Sequence, residues 1–489
     1  MQPVLKNLSI GFVVLVSSIA WTTAGANDAV PQRLSPVESP VEFLNETDAK
    51  ISEPVLDSEI SPISYALDQD GSCDALQNGS ACETCVPSAD CGYDCEESFF
   101  TRQYLTGDLF GARSSLAESG ILMDLQLTQF YQGVSSGGRS RNFAYGGKAD
   151  YMFTFQGAKL GLNEGFSAIL HAETRFGDDI DADAGLLSFP NSNMFYPLPG
   201  TNQTAITGLM FMQALSENFA LTAGKFNLLD LWNMIYPNTG RGINGFMNLS
   251  LIAPTPIIRT TNLSINGAGA LGLYEGQIQS ALIVYDTNNS STTAGVDDLF
   301  SDGAVILGYG RIFTELGGQP GSHALLGNWS SRSYTSVDPT SWTVIPGQGI
   351  AAGTQTGSWT ISYILDQVLW TDSCNEKRNL RLMSQWMLAD GNPNPYRWSS
   401  NVALQANGLV RCREQDSMGV GYFYNELSSD FKQLVNPIVG LRNVQGVELY
   451  YNAAITPWFH LTADLQVLED ANATDKTSVL PGLRANLRF

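Results

Sequence analysis

Charged residues are scarce in this chain: 15% of 489, against a usual quarter or so. Basic residues are scarcer still, 26 against 48 acidic ones, for a net charge of -22. The excess is concentrated in residues 27–100, a part that repels nucleic acid and gives no reason to expect an anionic partner, and no nucleic-acid partner is expected. Histidine occurs three times, at His171, His323 and His460, and never inside a recognisable nucleophile motif. An enzyme such as a lipid hydrolase needs a Ser–His pair with an orienting group, so the supply for one is thin and the chain is read as a non-enzyme. Past the N-terminus no stretch offers the ~18 unbroken apolar residues of a membrane helix. What the chain has in quantity is glycine, 47 residues, and aromatics, 10%, a composition that suits strands joined by many turns.

The first 26 residues read as an export signal. Lys6 supplies the positive region, residues 8–20 the apolar core, and Ala24-Gly25-Ala26 a small-residue cleavage site. Residues 27–103 form a second unit. Sixteen acidic residues between Asn27 and Phe100 meet only Arg33 and Lys50, and the Pro, Ser, Asp and Glu content predicts a largely disordered periplasmic linker. Five cysteines close it: Cys73, Cys82, Cys85, Cys91 and Cys95. Their spacing would suit zinc in a reducing compartment. In an exported chain disulfides are the favoured reading, and an odd count leaves one thiol for a disulfide partner outside the chain. No metal or other cofactor is expected.

From Gly120 onward a two-residue period takes over. Ile121, Met123, Leu125, Leu127 and Tyr131 alternate with Asp124, Gln126, Thr128 and Gln132. In residues 165–179, Phe166, Ala168, Leu170, Ala172 and Phe176 share one parity, and Ser167, His171, Glu173 and Arg175 the other. Trp359, Ile361, Tyr363 and Leu365 oppose Thr360, Ser362 and Asp366. Phe459, Leu461, Leu465 and Val467 oppose His460, Thr462, Asp464 and Gln466. Such alternation makes strands with two unlike faces. The segments run about ten residues, longer than soluble strands and suited to crossing a bilayer.

The connections alternate too. Counting back from the C-terminus, 469–478, 425–445, 389–397, 335–356, 286–302, 227–255 and 177–204 fall on one side as long loops. Short turns near 455–457, 411–416, 372–378, 314–322, 266–271, 215–217 and 157–164 fall on the other. The expectation is an all-β fold: a 16-stranded antiparallel transmembrane β-barrel over 104–489, with long extracellular loops and short periplasmic turns. The fourth strand (near 206–213) and sixth (near 256–265) alternate poorly. A barrel of this size leaves an aqueous channel, oily parity toward lipid and polar parity toward the lumen. Arg175 on the lipid face would cost ~2–4 kcal/mol at mid-depth, which fixes the register. Cys374 and Cys412 fall in successive inner turns, either as a disulfide or as two free thiols.

The run LTGDLFGARSSLAESGI (residues 105–121) resembles the opening signature of the OprB family of carbohydrate-selective porins. Gly107, Asp108, Gly111, Arg113, Leu116 and Gly120-Ile121 match it; Leu109 and Phe110 stand where Trp and Gly are usual. Residues 146–155, Phe176-Gly177-Asp178, Gly224-Lys225-Phe226-Asn227 with Asp230, and VELYYNAAITPWFHLTADLQVL followed by PGLRANLRF are similar as well. The resemblance implies an outer-membrane channel, in bacteria, that passes sugars and other small polar solutes by diffusion. It also implies loops folded in to narrow the bore.

Weak, serial hydrogen bonding suits such passage. His171, Glu173 and Arg175 form the first expected lining cluster, and Glu275, Gln277 and Gln279 a second inward column. Arg381, Glu448 and Asp464 are further lining candidates. The loop after Gly177 offers Asp178 and Asp179, with Phe195 and Tyr196 for stacking on sugar rings. Phe489, an aromatic C-terminus within a strand, marks the chain for the barrel-assembly machinery. A homo-oligomer and a monomer are both open. The alternative to a channel is a barrel that anchors the cysteine-bearing tail, with lipid hydrolysis a more remote one.

Overall fold

The computed structural model describes residues 98–195, 203–346 and 349–489. The export signal, the acidic stretch with its five cysteines, and Tyr196 lie outside them. Sixteen long strands follow one another: β1 Ile121–Gly133, β2 Phe143–Gln156, β3 Phe166–Gly177, β4 Thr204–Ser216, β5 Phe219–Asn227, β6 Ser264–Tyr274, β7 Gln277–Asp286 and β8 Ala304–Leu316 make the first half. β9 Gln319–Thr335, β10 Thr354–Asp372, β11 Asn375–Ala389, β12 Tyr396–Asn407, β13 Ser417–Leu427, β14 Val444–Thr456, β15 Phe459–Glu469 and β16 Lys476–Arg488 make the second. Every neighbour pair is antiparallel, and β1 pairs back onto β16 from Gln126↔Arg488 to Gln132↔Gly482. The sheet therefore closes on itself and has no free edge.

Burial runs opposite to that of a soluble protein. Leu325, Leu282, Trp386 and Leu483 are 50–61% exposed, while the inward Ser362, Gln466 and Arg484 are fully buried. Apolar side chains outside and polar ones inside are what a bilayer solvent demands. Outward aromatics gather near the strand ends: Trp386 stacks on Trp398 at 6.3 Å beside Tyr424, and at the opposite rim Phe166 stacks on Phe211 at 6.4 Å.

Inner connections are short, 217–218, 275–276, 317–318 and 373–374 among them, and outer ones long, above all 178–203, 228–263, 287–303 and 336–353. The sixth strand departs from the expected position. Residues 255–259 form a 3-10 turn, and β6 begins at Ser264. Pro254 and Pro256 cannot donate to a ladder, and the true strand, SINGAGALGLY, is too rich in small residues to show a hydrophobic period. The inner turn expected at 266–271 is strand; the chain reverses at Glu275-Gly276, with φ of 49° and 73°. Two positive φ values in a row make the tight hairpin whose twist matches the strands it joins.

Five short helices punctuate the connections: α1 Ala112–Glu118, α2 Asp181–Ala184, α3 Leu228–Ile235, α4 Leu249–Ile252 and α5 Ser429–Val435. The segment before α1 packs under the barrel seam. Leu105 N donates to Arg488 O at 2.8 Å, Trp458 Nε1 donates to Phe99 O at 2.9 Å, and Arg113 donates to the backbone oxygens of Met123 and Phe489. Cys374 and Cys412 are disulfide-bonded.

The long connection 228–263 folds into the barrel. Its Trp232, Tyr236, Phe246, Leu251 and Ile257 join inward Leu326, Ile364, Met383, Met387 and Phe423 in one apolar cluster. The lumen wall is thus not polar throughout: where the loop covers it, apolar residues face inward and stay dry. Outside the barrel, Lys225 lies on the oily parity yet is 8% exposed, because its ammonium donates to Thr293 O at 2.7 Å beneath the 287–303 loop.

Candidate channel constriction

The pairing of β2 with β3 sets Asp150 opposite Glu173 and Lys148 opposite Arg175. All four, with His171, point inward and are 1–3% exposed. Lys148 Nζ lies 2.6 Å from Glu173 and 3.0 Å from Asp150. His171 Nε2 is 3.0 Å from Asp150, and its Nδ1 is 2.7 Å from Asp230 on α3. Asn227 caps α3 through Leu229 N while its amide donates to Glu173 at 3.1 Å. Asp230 also receives Arg241 Nη1 at 3.2 Å, and these two side chains, 15% and 12% exposed, are the least covered of the group. Burial alone would push the Asp230 carboxyl up. The positive groups of His171, Arg241 and Lys148 outweigh it and hold the carboxyl below the usual range. Asp150, His171 and Glu173 bring ligand atoms within 4.8 Å of one another, but the Lys148 ammonium already sits among their oxygens, so the cluster is balanced by the protein's own cation.

Of the three residues expected to form one cluster, His171 and Glu173 meet, 4.0 Å apart and buried, and Arg175 pairs elsewhere. Arg175 turns to Asp179 at 2.6 Å, while Asp178 stays exposed. The groups that reach past this layer, Asp230 and Arg241, belong to the in-folded loop. Asp230 sits in the quoted Gly224–Asp230 match and was visible there without a role; Arg241 carried no signal.

On another arc of the wall, Arg381 pairs with Asp366 at 3.1 and 2.9 Å, and its guanidinium faces the Asn238 amide of the same loop. Arg381 is 25% exposed at its side chain and Asp366 12%. Glu448 is not a lining residue. It is fully buried, and its two oxygens accept the backbone N–H groups of Met247 at 2.5 Å and Asn248 at 2.9 Å. Asp464, also buried, accepts Gln466 Nε2 at 3.1 Å. The inward column of Glu275, Gln277 and Gln279 does not form. Glu275 sits exposed in the hairpin turn, and the pairing of Gly272 with Ser280 and Leu273 with Ile278 leaves Gln279 as a bulge. Gln277 accepts from Arg311 at 3.2 Å. Phe195 is buried against Phe189, 5.0 Å between ring centroids, and offers no free face for stacking.

A closed sixteen-stranded barrel, oily outside and polar within, narrowed by a loop that carries a partly exposed ion pair, is a diffusion channel of the bacterial outer membrane rather than an enzyme. Residues 140–489 match the model of the carbohydrate-selective porin, OprB family. The chain belongs to that family, and its transported solutes are sugars. Two structures of OprB from Pseudomonas putida are similar in fold. The high-pH one aligns over 80% of this chain and 100% of its own, at 17% identity and a TM-score of 0.65; the low-pH one over 80% and 99%, at 13% and 0.50. No curated protein matches the sequence significantly.

Proposed function

We propose that sugars cross at the polar groups of the in-folded loop and the wall beside it, with Asp230 and Arg241 as the first contact pair and Arg381 with Asp366 as the second. A sugar hydroxyl accepts from a guanidinium and donates to a carboxylate, so each pair presents both halves of its complement. Hydrogen bonds to charged groups such as these contribute about 1.5–3 kcal/mol each net of water. Each pair's ions already engage one another, so a sugar is held strongly enough to enter and weakly enough to leave. The observation that carries this reading is the partial exposure of Asp230 and Arg241 against the 1–3% exposure of the cluster behind them.

Export through the first 26 residues, and assembly through the Phe489 strand, complete the reading. Support for the latter is the seating of Phe489, whose N–H donates to Leu125 O at 2.8 Å at the barrel seam.

Liposome swelling with sugars of rising size tests the proposal. Arg241→Ala should alter the ratio of glucose to trisaccharide entry while the barrel still inserts. Rates identical to the parent for every sugar would remove the pair from the pathway.

A further inference from the structure

The C-terminal stretch VELYYNAAITPWFHLTADLQVL and PGLRANLRF stands out in sequence, yet the sugar pathway proposed above uses none of its residues. In the barrel it builds one continuous patch of inner wall on β14, β15 and β16. Glu448 pairs across to Gln466, and Thr462 to Arg484. The patch grips a single short run of the in-folded loop, residues 242–248, by its backbone. Arg484 Nη1 donates to Gly242 O at 2.8 Å and Nη2 to Gly245 O at 2.9 Å. Glu448 takes the N–H groups of Met247 and Asn248. Gln466 reaches this loop and also the connection that follows β3, which packs inside the barrel through buried Leu187, Phe189 and Phe195, accepting from Asn248 Nδ2 at 3.2 Å and donating to Pro190 O at 2.8 Å. A guanidinium thus holds two carbonyls and a carboxyl group holds two amides, and both side chains are fully buried.

The run gripped in this way begins one residue after Arg241. Arg241 has φ 50° and ψ 22°, the left-handed conformation that side-chain-bearing residues avoid. An unsupported residue leaves that well by a factor of roughly ten, so something outside the residue must hold it there. The next carbonyl along, Gly242 O, is fixed twice, by Arg484 and by Asn193 Nδ2 at 2.8 Å from the other in-folded loop.

We propose that Arg484, with Glu448, is a positioning residue for sugar selectivity: it touches no solute, and it sets where Arg241 presents its guanidinium by clamping the backbone beside it. The inference rests on the Asp230–Arg241 reading of the pathway.

The test is a double-mutant cycle on the full-length protein in liposomes, read as the trisaccharide-to-glucose permeability ratio. Arg484→Ala should reproduce at least about half of the Arg241→Ala change on a logarithmic scale, and should add little in the Arg241→Ala background. Arg484→Lys, which can keep one of the two carbonyl bonds, should restore part of the parental ratio. Full additivity, or an Arg484→Ala ratio equal to the parent's, overturns the positioning role. A silent Arg241→Ala instead overturns the pathway reading on its own. Should Arg484→Ala fail to assemble, Asn193→Ala decides, since it removes the second hold on Gly242 O from a loop and leaves the barrel wall intact. It should move the ratio in the same direction, and no movement overturns the proposal.

Discussion

The two walls that hold the in-folded loop do so by different chemistry. The β2–β3 wall meets it through side chains: His171 contacts Asp230, and Asn227 joins Glu173 to the cap of α3. The β14–β16 wall meets it through the backbone: Arg484 and Glu448 bind carbonyls and amides of residues 242–248. On the proposed pathway, the first wall sets which charge the loop offers to a solute. The second decides where the chain that carries it lies. A change on the first should therefore alter ion selectivity with the loop in place, and a change on the second should alter bore size.

The largest effect is expected from Glu448→Leu. It leaves the N–H groups of Met247 and Asn248 buried without acceptors, at about 1–3 kcal/mol each. Single-channel recordings should show higher and less steady conductance; a trace like the parent's would break the contrast between the walls. Asp230→Asn comes next. It keeps the shape, removes one negative charge, and weakens charge-assisted bonds of about 1.5–3 kcal/mol to His171 and Arg241. The reversal potential across a salt gradient should move toward anion preference at nearly unchanged conductance.

Acid should act on the same wall, later than an ordinary carboxylate would predict. The Asp230 carboxyl is held below the usual range by its positive neighbours once their effect exceeds that of burial. A depressed acid stabilises the docked loop above its free value, and that contribution is lost only as pH falls through the lower, docked one. The Asp230 contribution, read as the difference in selectivity between the parent and Asp230→Asn, should hold from neutral pH down to about pH 4 and fade below it. A change between pH 7 and 5 would contradict the assignment. The smallest effect is expected from Asn452→Ala on the second wall. Its one bond to the loop, to Asn244 O, is long at 3.3 Å and worth less than about 1 kcal/mol, and its 2.9 Å contact with His460 Nδ1 stays within the barrel wall, so conductance and sugar ratio should both stay within error of the parent's.

Much of the barrel was legible beforehand because lipid and water impose opposite demands on alternate residues. Arg175 between Thr174 and Phe176 fixes the register of β3 by itself, and the outward Trp359, Ile361 and Tyr363 of β10 were readable for the same reason. β6 was misplaced because Gly267, Ala268, Gly269 and Ala270 have no side chain large enough to mark a face. Glu275 was misassigned because parity carries no information across a turn. Glu448 was read as lining, since an inward acid in a strand looks alike whether it meets water or a backbone amide.

The order of strands, the side of the sheet each residue faces and the length asymmetry of the connections were set by local chemistry that a linear sequence displays. The identity of the proposed contact pair was not. Asp230 and Arg241 come together because a loop folds into the barrel and is held at its backbone, and every residue but proline offers the same N–H and C=O for such a hold. Only the closed barrel, which brings β16 beside β1 and residue 484 beside residue 242, selects which of them are held.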